Sequence, residues 1–137
     1  MAQILFVDDE PYYMRSLTDS LEDEGYHVTL ADSVESTIDN LRRSTPDLII
    51  LDIIMPQGEL QGTDNGLRTG VKLHEIIRDE MRIRSPIIFV TVVDSSAVIA
   101  QIERIERRHG QPSPIILQKV VLPSELLHEV RQILAKK

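Results

Sequence analysis

The sequence predicts an α/β fold: a parallel sheet with helices on both faces. Three observations lead there. Short apolar runs alternate with longer amphipathic stretches along the whole chain. Two of the runs, Leu48–Leu51 and Pro86–Val90, are apolar without alternation, the pattern of strands buried on both faces. Each run is separated from the next by a helix-length segment, which a parallel crossover requires.

The elements follow in order. Gln3–Val7 reads as the first strand. Pro11–Glu24 reads as a helix, with Tyr13, Leu17 and Leu21 on one face, Pro11 in its first turn and Gly25 at its end. Tyr26–Leu30 is the second strand. Asp32 is the expected cap of the next helix, with Glu35 as its capping-box partner. That helix carries Val34, Ile38 and Leu41 inward and stops before Pro46. Leu48–Leu51 is the third strand, with Asp52 at its C-terminal end. Pro56–Gly66 is rich in turn formers and reads as a long loop. Val71–Met81 reads as a helix with Leu73, Ile76 and Ile77 inward. Pro86–Val90 is the fourth strand and ends at Thr91. A helix from Ser95 or Ser96 to about Arg108 precedes a break at Gly110–Pro114. Ile115–Leu117 is the fifth strand, with Lys119 just beyond it. Pro123 and Ser124 open the last helix, which points Leu126, Leu127, Val130, Ile133 and Leu134 inward.

The 137 residues fit one domain, 1–137, and no output domain is expected within them. Aromatics are 4% and Trp is absent, so the core is aliphatic. The absence of Cys excludes disulfides, thiolate metal sites and cysteine nucleophiles. No apolar run is long enough for a membrane span, and Met1-Ala2-Gln3 does not read as a signal peptide. A cytoplasmic protein is therefore expected. The net charge of −7 would repel phosphate backbones, so no nucleic-acid binding by this domain alone is expected.

Open parallel sheets bind ligands beyond the carboxyl ends of their strands. Those ends hold Asp8, Asp9 and Glu10, then Asp52, Thr91 and Lys119. Converging carboxylates repel one another, and a hard divalent cation such as Mg²⁺ offsets that charge. A carboxylate, a metal, a lysine and a hydroxyl together can receive a phosphoryl group. The histidines, His27, His74, His109 and His128, lack metal-ligand spacing and read as structural or surface residues. Gly58, Gly62 and Gly66 do not form a phosphate loop, since no Lys-Ser/Thr pair follows.

Four segments carry a family resemblance. Ile4–Pro11 (Ile-Leu-Phe-Val-Asp-Asp-Glu-Pro) and Pro46–Pro56 (Pro-Asp-Leu-Ile-Ile-Leu-Asp-Ile-Ile-Met-Pro) are two. Pro86–Thr91 (Pro-Ile-Ile-Phe-Val-Thr) and Lys119 with Ser124–Leu127 are the others. Together they resemble the response-regulator receiver family of two-component signal transduction. The resemblance implies a flavodoxin-like sheet of order 2-1-3-4-5 and a phosphorylation-controlled switch with no metabolite turnover of its own. It implies that Asp52 is the phospho-acceptor and that Asp9, Asp52 and the backbone carbonyl of Ile54 hold Mg²⁺, with Asp8 acting through water. Lys119 pairs with the acceptor or its phosphate, and Thr91 hydrogen-bonds the phosphoryl oxygens. The implied donor is a sensor histidine kinase or phosphotransfer protein; the target is a downstream protein or a second copy, on the face of the fourth helix, fifth strand and last helix.

The chain departs from the family pattern at four places. Val120 follows Lys119 where the family has a cis proline. A cis bond at any other residue costs about 2.5–4 kcal/mol, so the isomer stays open. Ile116 stands where many members carry a switch-reporting aromatic. The segment between Pro56 and Gly70 is longer than the family norm: a gate over the acceptor site, a partner contact or a tolerated insertion. Gln101–Pro114 is also longer. Ile54 and Val93 offer no group to orient an attacking water, so slow self-dephosphorylation is expected.

Competing readings are a pseudo-receiver, used only as an interaction module, and an aspartate-nucleophile phosphatase. The latter needs a second acid where Ile54 stands. A flavin protein of this fold would meet Asp8-Asp9-Glu10 in place of a phosphate loop.

Overall fold

The computed structural model describes residues 2–8, 10–53, 67–91 and 96–135. Five strands, β1 (Gln3–Val7), β2 (His27–Ala31), β3 (Leu48–Asp52), β4 (Ile87–Thr91) and β5 (Ile115–Gln118), form one sheet. Every pairing is parallel and the order is β2-β1-β3-β4-β5, as the resemblance implied. The helices are α1 (Pro11–Asp23), α2 (Val34–Arg43), α3 (Leu67–Glu75), α4 (Ser96–Arg108) and α5 (Pro123–Leu134).

Strand alternation divides the core in two. Leu5, Val7, Ile49, Leu51, Ile87 and Phe89 face one way and pack with Val34, Leu41, Leu73, Ile77 and Ile102 from α2, α3 and α4. Ile4, Phe6, Leu48, Ile50, Ile88 and Val90 face the other way and pack with Leu17 and Leu21 of α1 and Leu126 and Val130 of α5. The central strands β3 and β4 are buried at every residue, which explains their unbroken apolar runs. On α5, Leu127, Ile133 and Leu134 are only partly buried against the same cluster.

Several boundaries differ from the sequence expectation. The cap of α2 is Ser33, not Asp32, and its box partner is Ser36, not Glu35. Strand β2 runs one residue further, to Ala31, so Ser33 directly precedes the first helical residue. Its hydroxyl accepts from Ser36 N at 3.0 Å, while Ser36 Oγ accepts from Ser33 N at 3.1 Å. Helix α3 starts at Leu67, earlier than the expected Val71, and runs on into a single π-helical turn, Ile76–Glu80. Leu73 and Ile77 are buried while Ile76 is only half-buried. Gly25, at φ 96°, ends α1 as expected. The predicted Pro56–Gly66 loop and the side chain of Tyr13 lie outside what is described.

A buried charged cluster ties α3 and its π-helical extension to α4. Glu106 Oε1 accepts from Arg78 Nε at 2.8 Å and lies 2.6 Å from His74 Nε2. Glu106 Oε2 accepts from Arg78 Nη2 at 3.0 Å, and Arg78 Nη1 donates to Ile83 O at 2.8 Å. All three side chains are buried, and the His74 ring meets the Phe89 ring edge-on at 4.7 Å.

Helix α3 also lies directly against the backbone that leaves the sheet after Asp52. A Cβ on Gly70 would stand 1.5 Å from the Ile53 carbonyl oxygen. Only glycine allows that approach. Gly70→Ala is expected to cost about 1–3 kcal/mol, the range for overpacking, and to lower Tm by roughly 3–10 °C. Calorimetry checks this; an unchanged Tm would show that the helix is free to move away.

Candidate functional site

The site stands at the carboxyl ends of β1, β3, β4 and β5. Asp8 follows β1, Asp52 ends β3 and Thr91 ends β4, and all three are buried. The register places Asp52 opposite Val90, so Thr91 reaches one residue further toward the crevice. Lys119 follows β5, and its N–H donates to Thr91 O at 2.9 Å. The Lys119–Val120 peptide bond is cis.

Lys119 is the hub. Its side chain is 7% exposed, and Nζ lies 3.2 Å from Asp52 Oδ2, 3.2 Å from Asp8 Oδ2 and 3.0 Å from Glu10 Oε1. It donates hydrogen bonds to Asp52 and Glu10. Asp8 Oδ1 accepts from Glu10 N at 2.9 Å. Asp8 Oδ2 is buried and has no hydrogen bond in the described structure.

Among the described residues, three carboxylates thus face one ammonium. Burial alone would lower the Lys119 pKa. The attraction of Asp52 and Asp8 and the hydrogen bonds to Glu10 and Asp52 outweigh it, and hold the ammonium above its ordinary range. Burial pushes the Asp8 carboxyl up, and the pull of Lys119 does not fully offset it. Among the described residues the crevice carries more negative than positive charge.

One carboxylate oxygen from each of Asp8, Glu10 and Asp52 lies within 4.8 Å of the others. Among the described residues this is the one group of acidic or histidine side chains so arranged. Hard oxygen donors, excess negative charge among the described side chains and a buried Asp8 Oδ2 that meets the Lys119 ammonium at 3.2 Å all suit a small divalent cation such as Mg²⁺.

The sequence-predicted residues Asp8, Asp52, Thr91 and Lys119 therefore come together. Asp9, Ile54 and Val93 lie outside the described residues. Glu10 was read only as part of an acidic run, and its hold on Lys119 was missed. The two residues are 109 apart in sequence, so no local spacing signals the contact. Of the histidines, His27 and His128 are exposed, and His74 belongs to the buried cluster. His109 and Arg108 pair with Asp79 at the C-terminus of α4, where cations complement the helix dipole. The His109 hydrogen bond and that of Arg108 hold Asp79 below the usual carboxylate range, against a smaller effect of burial. No helix among the described residues is long and apolar enough to cross a membrane.

Comparison with known proteins agrees with the fold and gives the family. Residues 4–130 match the family model of the response regulator receiver domain. Protein PilH of Pseudomonas aeruginosa is 33% identical over 94 residues, which cover 69% of this chain and 70% of PilH. Transcriptional regulatory protein BaeR of Escherichia coli O6:H1 is 32% identical over 136 residues, 98% of this chain but 48% of BaeR. This chain thus spans about half of that longer relative. The solved structure of a CheY-like response regulator receiver domain protein from Methanospirillum hungatei has the same fold. Its TM-score is 0.77 at 24% identity, over 99% of this chain and 95% of that one. The chain belongs to the response regulator receiver domain family.

Proposed function

We propose that this receiver domain is a working phosphorylation switch and that Asp52 takes the phosphoryl group. The observation that carries the reading is Lys119 Nζ at 3.2 Å from Asp52 Oδ2, in a crevice at the strand ends. An interaction module without phosphorylation has no need of a buried lysine held among carboxylates, which the pseudo-receiver reading leaves unexplained.

The donor is a phosphohistidine on a sensor histidine kinase or a phosphotransfer protein. A carboxylate oxygen of Asp52 attacks the phosphorus. An O–P bond forms as the donor's P–N bond breaks, and the electron pair stays on the imidazole nitrogen. Lys119 neutralises phosphoryl oxygens as charge gathers on them. The Thr91 hydroxyl, at the end of β4, donates a hydrogen bond to the phosphoryl group and carries the change into the sheet. Asp8, Asp9, Asp52 and the Ile54 carbonyl are the residues that would hold Mg²⁺. When bound, the ion supplies charge neutralisation that a single lysine cannot. The downstream surface is the face of α4, β5 and α5, offered to a partner protein or a second copy.

Acetyl phosphate tests the reading without a kinase. The protein is expected to gain one phosphoryl group by intact mass in Mg²⁺ and none after chelation. No gain in saturating Mg²⁺ would contradict the proposal and favour the pseudo-receiver.

A further inference from the structure

Glu10 stands at the N-cap position of α1, yet its side chain makes no capping hydrogen bond. It turns instead to Lys119, with Oε1 3.0 Å from Nζ. Its backbone N–H is committed to Asp8 Oδ1, so the main chain beneath it is anchored. The three described carboxylates around Lys119 differ in exposure. The Asp8 side chain is fully buried and that of Asp52 is 2% exposed, whereas that of Glu10 is 63% exposed. Of these three, Glu10 alone can give up the lysine and be compensated by water. Asp8 and Asp52 would be left as buried charges, which is costly.

We propose that Glu10 is a positioning residue that acts through Lys119. While Asp52 is unmodified, Glu10 tethers the ammonium at the mouth of the crevice and divides its charge. Once a phosphoryl group arrives, its oxygens outcompete one solvated carboxylate, and the lysine turns to them. Glu10 therefore sets how readily Lys119 is available to an incoming donor. This inference rests on the reading of Asp52 as the acceptor.

Substituting Glu10→Gln keeps the shape and removes the charge. The exposed position leaves the fold intact. With Mg²⁺ saturating for both proteins, so that any loss of ion affinity drops out, the rate of phosphorylation by acetyl phosphate is expected to rise roughly three- to tenfold at low ionic strength. In a Lys119→Met background the same substitution is expected to change the rate far less, as a double-mutant cycle requires for coupled groups. Equal acceleration in both backgrounds would overturn the proposal, because Glu10 would then act as a bare charge on the donor. No acceleration in the wild-type background would overturn it as well.

A second readout needs no phosphorylation. Acetic anhydride is expected to acylate Lys119 faster in Glu10→Gln than in wild type, with exposed Lys72 as the internal reference. An unchanged Lys119 rate would overturn the tether outright. If acylation changes but wild-type protein takes up no phosphoryl group, the reading of Asp52 fails. The contact then has no role in phosphoryl transfer.

Discussion

Replacing Glu106 with Gln is expected to destabilise the protein by about 3–5 kcal/mol, the range for stranding one partner of a buried ion pair. That corresponds to a fall in Tm of roughly 10–15 °C. Glu106 is 3% exposed and Arg78 1%, so water cannot replace what either loses. Glutamine retains one acceptor but leaves the guanidinium buried without a counter-charge. Arg78→Met is expected to cost a similar amount, since it also frees Ile83 O. The double variant Arg78→Met/Glu106→Leu should recover much of the loss, because an apolar pair leaves no buried charge unmatched.

The same cluster sets a pH dependence. Burial pushes the Glu106 carboxyl up, but the hydrogen bonds from His74 and Arg78 outweigh it and hold it below the usual range. A depressed folded pKa means that its stabilisation is complete above the unfolded value, about 4.3. It is lost as pH falls through the lower folded value. The deficit of Glu106→Gln relative to wild type should therefore be full at neutral pH and shrink in acid below about pH 4. Urea titrations across that window check the sign. A deficit that grows in acid would contradict it.

Asp52→Asn is expected to abolish phosphoryl uptake while preserving the fold. The amide has the shape of the carboxylate and fits the same buried position. Its nitrogen and neutral oxygen are poor nucleophiles toward phosphorus, and the substitution removes one of the three negative charges around Lys119. Weaker Mg²⁺ binding should accompany the loss, since Asp52 belongs to the carboxylate cluster. Stability should hold or rise slightly, because a like-charge repulsion between Asp8 and Asp52 is relieved. Uptake that persists in Asp52→Asn would move the acceptor elsewhere.

Much of the fold was legible because parallel β/α units write strong signals. Unbroken apolar runs marked β3 and β4, and Pro11 and Gly25 bracketed α1. Strand ends alone then pointed to Asp8, Asp52, Thr91 and Lys119. The misreadings were local. Asp32 and Ser33 are both good caps, and a one-residue shift of β2, to His27–Ala31, decided between them. The early start of α3 and its π-helical end were hidden because Leu73, Ile76 and Ile77 look alike in a periodicity count. Contacts that join distant residues stayed invisible. Arg78 and Glu106 are 28 apart, and Glu10 and Lys119 are 109 apart. Arg78, Glu106 and Glu10 each look like an ordinary charge in their own helix or loop, and the strand end that marks Lys119 does not signal its contact with Glu10. The cis bond at Lys119–Val120 carries no proline to announce it.

The central claim is that an acyl phosphate forms on Asp52. Borohydride reduction of wild-type protein after acetyl phosphate and Mg²⁺, followed by peptide mass mapping, tests it most directly, because reduction converts an aspartyl phosphate to homoserine. The expected result is homoserine at position 52 and at no other aspartate. Homoserine at Asp8 or Asp9, or a phosphoryl group that resists reduction on a serine, threonine or histidine, would contradict the account.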